Sequence, residues 1–239
     1  MLTLEIAIAK THKYAVRDSG DTAETVERPN GGMSVVMVDG QGSGAAAKSL
    51  SMMVSGRAVS LLKEGVRDGA VARAAHDHLH AYRGGKVSAT LDIVSVDLAS
   101  STMLVTRNSV VPYLVRQAGE VRMLGTTTTP IGLYRHSRPS VDQYPLEEGL
   151  SVVVFSDGIP GAGSRTSERF DILEWARASL RPGVSAHEIA DAMLAAALNT
   201  DRGRPNDDMT VVSVTIGAAA IEQPIRTLRL NVPFTPSAG

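Results

Sequence analysis

Acidic residues stand at the points where the most apolar runs of this chain begin or end. Asp39 follows Met33–Val38 (MSVVMV), Asp157 follows Leu150–Phe155 (LSVVVF) and Ser156, and the pair Asp207-Asp208 precedes Met209–Ile216 (MTVVSVTI). A further candidate, Asp21, lies in Ser19-Gly20-Asp21 beyond the segment around Tyr14–Val16. Aspartate before glycine at a strand end is ordinary turn chemistry, so one such residue says little. If several of these ends converge, carboxylates crowd a small volume. They then repel one another, and some stay protonated unless a cation intervenes. A cluster of oxygen ligands alone suits a hard divalent ion such as Mg²⁺ or Mn²⁺.

The elements that must bring these residues together are legible in outline. Leu2–Ala9 alternates as a strand, and the three apolar runs read as buried strands. Glu24–Gly32, with Pro29, Asn30 and two glycines, reads as a turn. A glycine-rich turn at Gly40–Gly44 leads into a helix over Ala45–Glu64, and a second helix runs over about Gly69–Tyr82. The β-branched stretches Val87–Leu98, Met103–Thr106 and Val111–Arg116 form a meander, and Thr126–Gly132 (TTTTPIG) a loop. Helices follow over about Ser167–Leu180 and Ser185–Thr200, the second with a capping box between Ser185 and Glu188. One more strand is expected over Ile225–Phe234. Strands, two helices, strands, two helices, strands is not a βαβ alternation. The order predicts an α+β fold of antiparallel sheets covered by helix pairs, in one domain over residues 1–239 with a core at about 2–216.

Composition narrows the function classes. The chain has 239 residues, a net charge of −1 and no cysteine. No basic run advertises nucleic-acid binding. Disulfides, thiolate zinc sites and cysteine nucleophiles are excluded, which suits a reducing cytoplasm. No apolar run reaches the ~20 residues a membrane span needs, and no basic segment precedes the apolar residues of Met1–Lys10 as in a secretory signal. The expectation is a cytoplasmic protein without nucleic-acid or membrane partners.

Four ordered motifs carry a resemblance. Ser19-Gly20-Asp21, Asp39-Gly40-Gln41-Gly42-Ser43-Gly44, Ser156-Asp157-Gly158-Ile159 and Asp207-Asp208-Met209-Thr210-Val211-Val212 resemble the type 2C (PPM) protein serine/threonine phosphatases. The likeness is to their SpoIIE-like bacterial branch. It implies a four-layer α-β-β-α sandwich and two divalent cations, Mn²⁺ or Mg²⁺. In it Asp39 bridges both ions, Asp157 and Asp207 complete one site, Asp21 and the Gly40 carbonyl serve the other, and Asp208 is held in reserve. It further implies attack on phosphorus by a water that the two cations activate, Arg17 as a contact to the substrate phosphate, and a phosphorylated protein substrate of the anti-anti-sigma type.

Other readings compete. Gly40-Gln41-Gly42-Ser43-Gly44-Ala45 fits a dinucleotide-binding turn, but no second parallel strand with an acidic end follows it. His76 and His80 share a helix face at the spacing of a zinc pair, against the plainer expectation of a solvated helix face. A catalytically silent, partner-binding phosphatase-like protein is a third reading, and the intact acidic set argues against it.

Overall fold

The computed structural model describes residues 1–166, 168–219 and 226–232. Its elements run β1 (Leu2–Thr11), β2 (Thr22–Glu27), β3 (Met33–Gly40), α1 (Gly44–Lys63), α2 (Asp68–Arg83), β4 (Ala89–Asp97), β5 (Thr102–Asn108), β6 (Tyr113–Gln117), β7 (Glu120–Leu124), β8 (Ser140–Pro145), β9 (Ser151–Phe155), α3 (Ile172–Ser179), α4 (Ala186–Thr200) and β10 (Met209–Ala218). They form two five-stranded sheets of order β1-β10-β9-β6-β7 and β2-β3-β4-β5-β8. Every strand pairing within them is antiparallel. That is the expected α+β sandwich, and it leaves no βαβ unit for a dinucleotide.

Three apolar layers hold the sandwich together, and the strand sequences explain them. Successive side chains of a strand face opposite ways. In β3, Val35 and Met37 join the layer between the sheets, while Val36 and Val38 face α1 and α2. In β10, Val212, Val214 and Ile216 point between the sheets and Met209 and Val211 face α3 and α4. Burial on both faces is why these strands read as unbroken apolar runs. Helix α1 presents Ala47, Leu50, Val54, Ala58, Leu61 and Leu62 to its sheet, the stripe of an amphipathic helix. The capping box at Ser185 and Glu188 is formed.

Several expectations are corrected. The polar stretch after Asp21 is not all turn: Thr22–Glu27 is a strand paired with β3 from Thr22↔Val38 to Glu27↔Met33. Like β7 and β8, which the sequence hides, it is an edge strand, and edges carry polar and charged residues that discourage further pairing. Helix α3 starts only at Ile172, because Asp171 caps it by accepting the Glu174 amide at 2.9 Å; Ser167 lies outside the described residues. Residues 226–232 carry no strand and are exposed, and Ile225, Pro233 and Phe234 lie outside the described residues. His76 does not sit on a solvated face: it is 2% exposed. Its Nδ1 accepts the Gly132 amide at 3.1 Å, and His80 Nδ1 meets the Gly132 carbonyl at 3.0 Å. The two histidines latch the 126–132 loop to α2. Among the described residues no helix is long and apolar enough to cross a membrane.

Candidate active site

Both sheets deliver carboxylates to one place. Asp39 is in the last turn of pleat of β3, Asp157 lies just past β9, Asp207 and Asp208 just before β10, and Asp21 in the crossing from β1 to β2. All five line one hollow of about 520 Å³, together with Gly40, Gln41 and Lys13. Pro130 of the latched loop and Val110 complete its wall. Asp21 and Asp208 are buried, Asp39 and Asp207 half-buried, and Asp157 reaches solvent.

Crowding leaves its mark on protonation. Burial first, then Asp21, Asp157, Asp207 and Asp208, push the Asp39 carboxyl up to about 8. Burial raises Asp21 to about 6, with Asp208 adding to the rise, against the opposing hydrogen bonds of Thr210 and Ser156 and the charge of Lys10. Asp157 is raised by the protein wall around it and then by Asp207 and Asp208. Among the described residues no three acidic or histidine side chains are already drawn in as a ligand set. Asp21, Asp207 and Asp208 are instead engaged by local donors. The fit to a divalent ion is nonetheless good, since the donors are oxygen only and opposite charge is what the cluster lacks.

The hydrogen bonds separate two kinds of acid. Both oxygens of Asp208 are engaged, Oδ1 by the Lys13 amide at 2.8 Å and Oδ2 by the Gly20 amide at 2.7 Å. Asp207 uses Oδ1 only, for the Asp208 amide at 3.0 Å. Asp21 Oδ2 accepts the Thr210 hydroxyl at 2.6 Å. The Asp21 carbonyl accepts two ammonium groups, Lys10 Nζ at 3.0 Å and Lys48 Nζ at 2.8 Å. Ser156 fastens the Asp157 turn to β10: its hydroxyl accepts the Thr210 amide at 2.9 Å, and its amide donates to the Thr210 carbonyl at 3.0 Å. The Gln41 side chain accepts the Ser88 amide at 2.9 Å and ties the Asp39 turn to the start of β4.

Two motif glycines are there because backbones touch. A Cβ on Gly40 would stand 2.5 Å from the Ala47 carbonyl oxygen of α1. One on Gly158 would stand 2.2 Å from the Asp208 carbonyl oxygen. No larger residue allows α1 to dock on β3, or the Asp157 turn to lie against the start of β10.

Sequence reasoning and structure can be compared residue by residue. Asp21, Asp39, Gly40, Asp157, Asp207 and Asp208 share the hollow. Arg17 does not line it. It is exposed and borders a neighbouring hollow with Tyr14, Leu198 and Pro205. The cation that does line the acidic hollow is Lys13. Ser156 and Thr210 sat inside quoted motifs without an assigned role; Lys10 on a strand, Lys13 in a loop and Lys48 on a helix give no local signal.

The comparisons with known proteins bear on the family and the fold. The sequence profile described as Stage II sporulation protein E (SpoIIE) matches residues 29–217. Stage II sporulation protein E of Bacillus subtilis (strain 168) is 25% identical over 201 residues, 83% of this chain and 24% of the relative. That of Priestia megaterium is 21% identical over 194 residues, 81% of this chain and 33% of the relative. The chain thus spans about a quarter to a third of these relatives' length. Among solved structures, the PP2C phosphatase domain of SpoIIE from Bacillus subtilis with a fragment of its regulatory domain superposes with a TM-score of 0.75 at 24% identity, covering 89% of this chain and 63% of that one. The catalytic domain of the serine/threonine phosphatase PstP, solved with two manganese ions, gives 0.70 at 16% identity, covering 91% and 100%. RsbX in complex with magnesium gives 0.69 at 15%, covering 91% and 100%. A profile matched over most of the chain, with the fold of the PP2C phosphatases around four ordered acidic motifs, identifies the chain as a member of the SpoIIE family.

Proposed function

We propose that the chain is a divalent-cation-dependent phosphatase that hydrolyses phosphoserine or phosphothreonine on a protein, with a small anti-anti-sigma regulator as its substrate. The observation that carries this reading is the convergence of carboxylates from four separate chain segments in one open hollow, with Asp39 pushed up to about 8. Asp39, Asp157 and Asp207, with Asp21 and the Gly40 carbonyl, would hold two cations, Mn²⁺ or Mg²⁺. Such ions supply Lewis acidity toward phosphoryl oxygens and an acidified water.

The chain's own residues do the rest. The hollow repels a phosphate dianion as it stands, so charge neutralisation there makes phosphate binding conditional on the cations. Lys13 adds the one cationic side chain among the described lining residues and would attract the phosphorylated side chain. Asp208 orients the Lys13 and Gly20 backbone, and Thr210 orients the Asp21 carboxylate. Arg17 lines the adjoining hollow and would meet the substrate beside its phosphate.

The test is hydrolysis of p-nitrophenyl phosphate and of a phosphoserine protein with Mn²⁺, for the wild type and for Asp39→Asn. Mn²⁺-dependent turnover that the substitution abolishes is the expected result. Mn²⁺ binding without turnover would favour the partner-binding alternative. Neither binding nor turnover would reduce the aspartates to turn residues.

A further inference from the structure

Lys13 lines the carboxylate hollow, and the residues on either side of it line a second one. That neighbouring hollow, of about 570 Å³, is bounded by His12, Tyr14, Val16 and Arg17 of the segment between β1 and β2, by Leu198 in the last turn of α4 and by Pro205 beyond it. No carboxylate is among its described lining residues. The two hollows thus adjoin along one stretch of chain and differ in character, the first acidic, the second apolar with a basic rim. Consecutive Cα atoms lie ~3.8 Å apart. An extended peptide with its phosphorylated residue in the first hollow therefore reaches the second within about three residues, at ~3.3 Å each.

The shared segment is held in place. The Lys13 amide donates to Asp208 Oδ1 at 2.8 Å, the Tyr14 amide to the Pro205 carbonyl at 2.9 Å and the Val16 amide to the Lys13 carbonyl at 3.2 Å. Val16 Cγ1 lies 3.7 Å from where a Cβ on Gly44 would be, against the start of α1. The bond from Val16 to Lys13 closes a turn whose third residue, Ala15, has a φ of 67°. That is the left-handed conformation that favours glycine. An alanine kept there at a cost in backbone energy marks a turn whose shape its surroundings impose. The turn presents Tyr14 to solvent at 52% exposure, with the Arg204 guanidinium carbon 5.4 Å from the centre of its ring.

A lone exposed aromatic residue needs no explanation, but Tyr14 is not alone. Arg17, which lines the same hollow, and Arg204, which stacks on the ring, are both exposed and form no ion pair among the described residues. An aromatic ring and arginines at the rim of an apolar hollow have the composition of an interface anchor. The unpaired guanidinium groups complement carboxylates.

We propose that this hollow receives the substrate protein's chain beside the phosphorylated residue and selects a large aliphatic side chain with an acidic one next to it. The aliphatic side chain packs against Tyr14, Val16, Leu198 and Pro205, and the carboxylate pairs with Arg17 and Arg204. The subsite rests on the phosphatase reading of the carboxylate hollow, and p-nitrophenyl phosphate, which carries no peptide chain, tests that reading by itself.

The test compares kcat/KM of the whole chain with Mn²⁺ on short alanine–glycine peptides that carry a central phosphoserine. One set has leucine at a single position within three residues of the phosphoserine and aspartate next to it. Matched sets have lysine in place of the aspartate, or alanine at both positions. In at least one register the leucine–aspartate peptide should exceed the alanine peptide by ~tenfold or more. Tyr14→Ala should cut this ratio at least ~fivefold, and Tyr14→Phe should retain it, because the ring makes the contact. Arg17→Glu with Arg204→Glu should reverse the order of the aspartate and lysine peptides, which no general loss of folding would do. If p-nitrophenyl phosphate is not hydrolysed, the phosphatase reading falls and the subsite with it. If it is hydrolysed and the peptides differ by less than ~twofold, or the preference survives both Tyr14→Ala and the arginine exchange, the subsite alone falls. Sedimentation of the wild type as a dimer that Tyr14→Ala splits, with no preference among peptides, would also overturn it and give the hollow to a second copy of the chain.

Discussion

Asp207 and Asp208 are neighbours with different surroundings, and substitution separates them. Asp208→Ala strips the acceptor from the buried Gly20 amide and the partly buried Lys13 amide. At about 1.5–3 kcal/mol for a bond to a charged group, the loss is roughly 3 kcal/mol or more, which for a chain of this size lowers Tm on the order of 10 °C. Asp207→Asn keeps the Oδ1 that accepts the Asp208 amide, so Tm should hold while Mn²⁺ affinity falls; thermal melts and Mn²⁺ titration read the two outcomes. Lys13→Ala, in the hollow, should raise KM for a phosphoprotein several-fold with little change in kcat, and more than Arg17→Ala does; equal effects would return Arg17 to the phosphate. A pH prediction follows from Asp39 and Asp21. Their folded values, about 8 and about 6, lie above the ordinary 3.8. In that window the folded chain holds protons that the unfolded chain has released, so stability without metal falls as pH rises from about 4 towards 8. Melts in EDTA across this range should show the decline, and Mn²⁺ should reverse it, because ligation needs the ionised form. The acids themselves were legible in the sequence because they sit at abrupt strand ends. The lysines that hold the Asp21 carbonyl were not, since Lys10 and Lys48 meet it only through tertiary packing.

At the scale of elements, the position of α1 against β3 is set by contact at Gly40. Gly40→Ala should force the helix off by a few tenths of an ångström or more, at about 1–3 kcal/mol as for other overpacked sites, and weaken Mn²⁺ binding together with stability. Differential scanning calorimetry with and without Mn²⁺ measures both. Helix α4 packs on β1 and β10 and starts at a complete capping box. Ser185→Ala should cost about 1 kcal/mol, about 2–4 °C in Tm, and leave activity intact, since nothing at that end touches the hollow. The same contrast explains what the sequence disclosed about its elements. β3, β9 and β10 are buried on both faces and announce themselves as apolar runs. β2, β7 and β8 are edge strands whose polar outward residues imitate turns. The late start of α3 depends on the Asp171 cap, one of several polar residues in the stretch before it that could have played that part.

On the scale of the whole molecule, the acidic hollow bridges the sandwich: Asp39 comes from one sheet, Asp157 and Asp207 from the other. A cation held by all three would fasten the sheets together at that end. Mn²⁺ at a hundred times its dissociation constant should add about 2.7 kcal/mol to stability, and the gain should vanish in Asp39→Asn; equal melting shifts in both proteins would place the ion elsewhere. The sheet order β1-β10-β9-β6-β7 carries a consequence for biosynthesis. β10 is inserted between β1, which is made before every other strand described here, and β9, and it is itself made after all of them. Until it emerges, β1 has no neighbour and β9 an open edge, the kind of exposed ladder that invites aggregation. Asp207 and Asp208 arrive with the same strand. A nascent or prematurely terminated chain that stops short of it therefore lacks both the strand that joins β1 to β9 and two of the five carboxylates of the hollow.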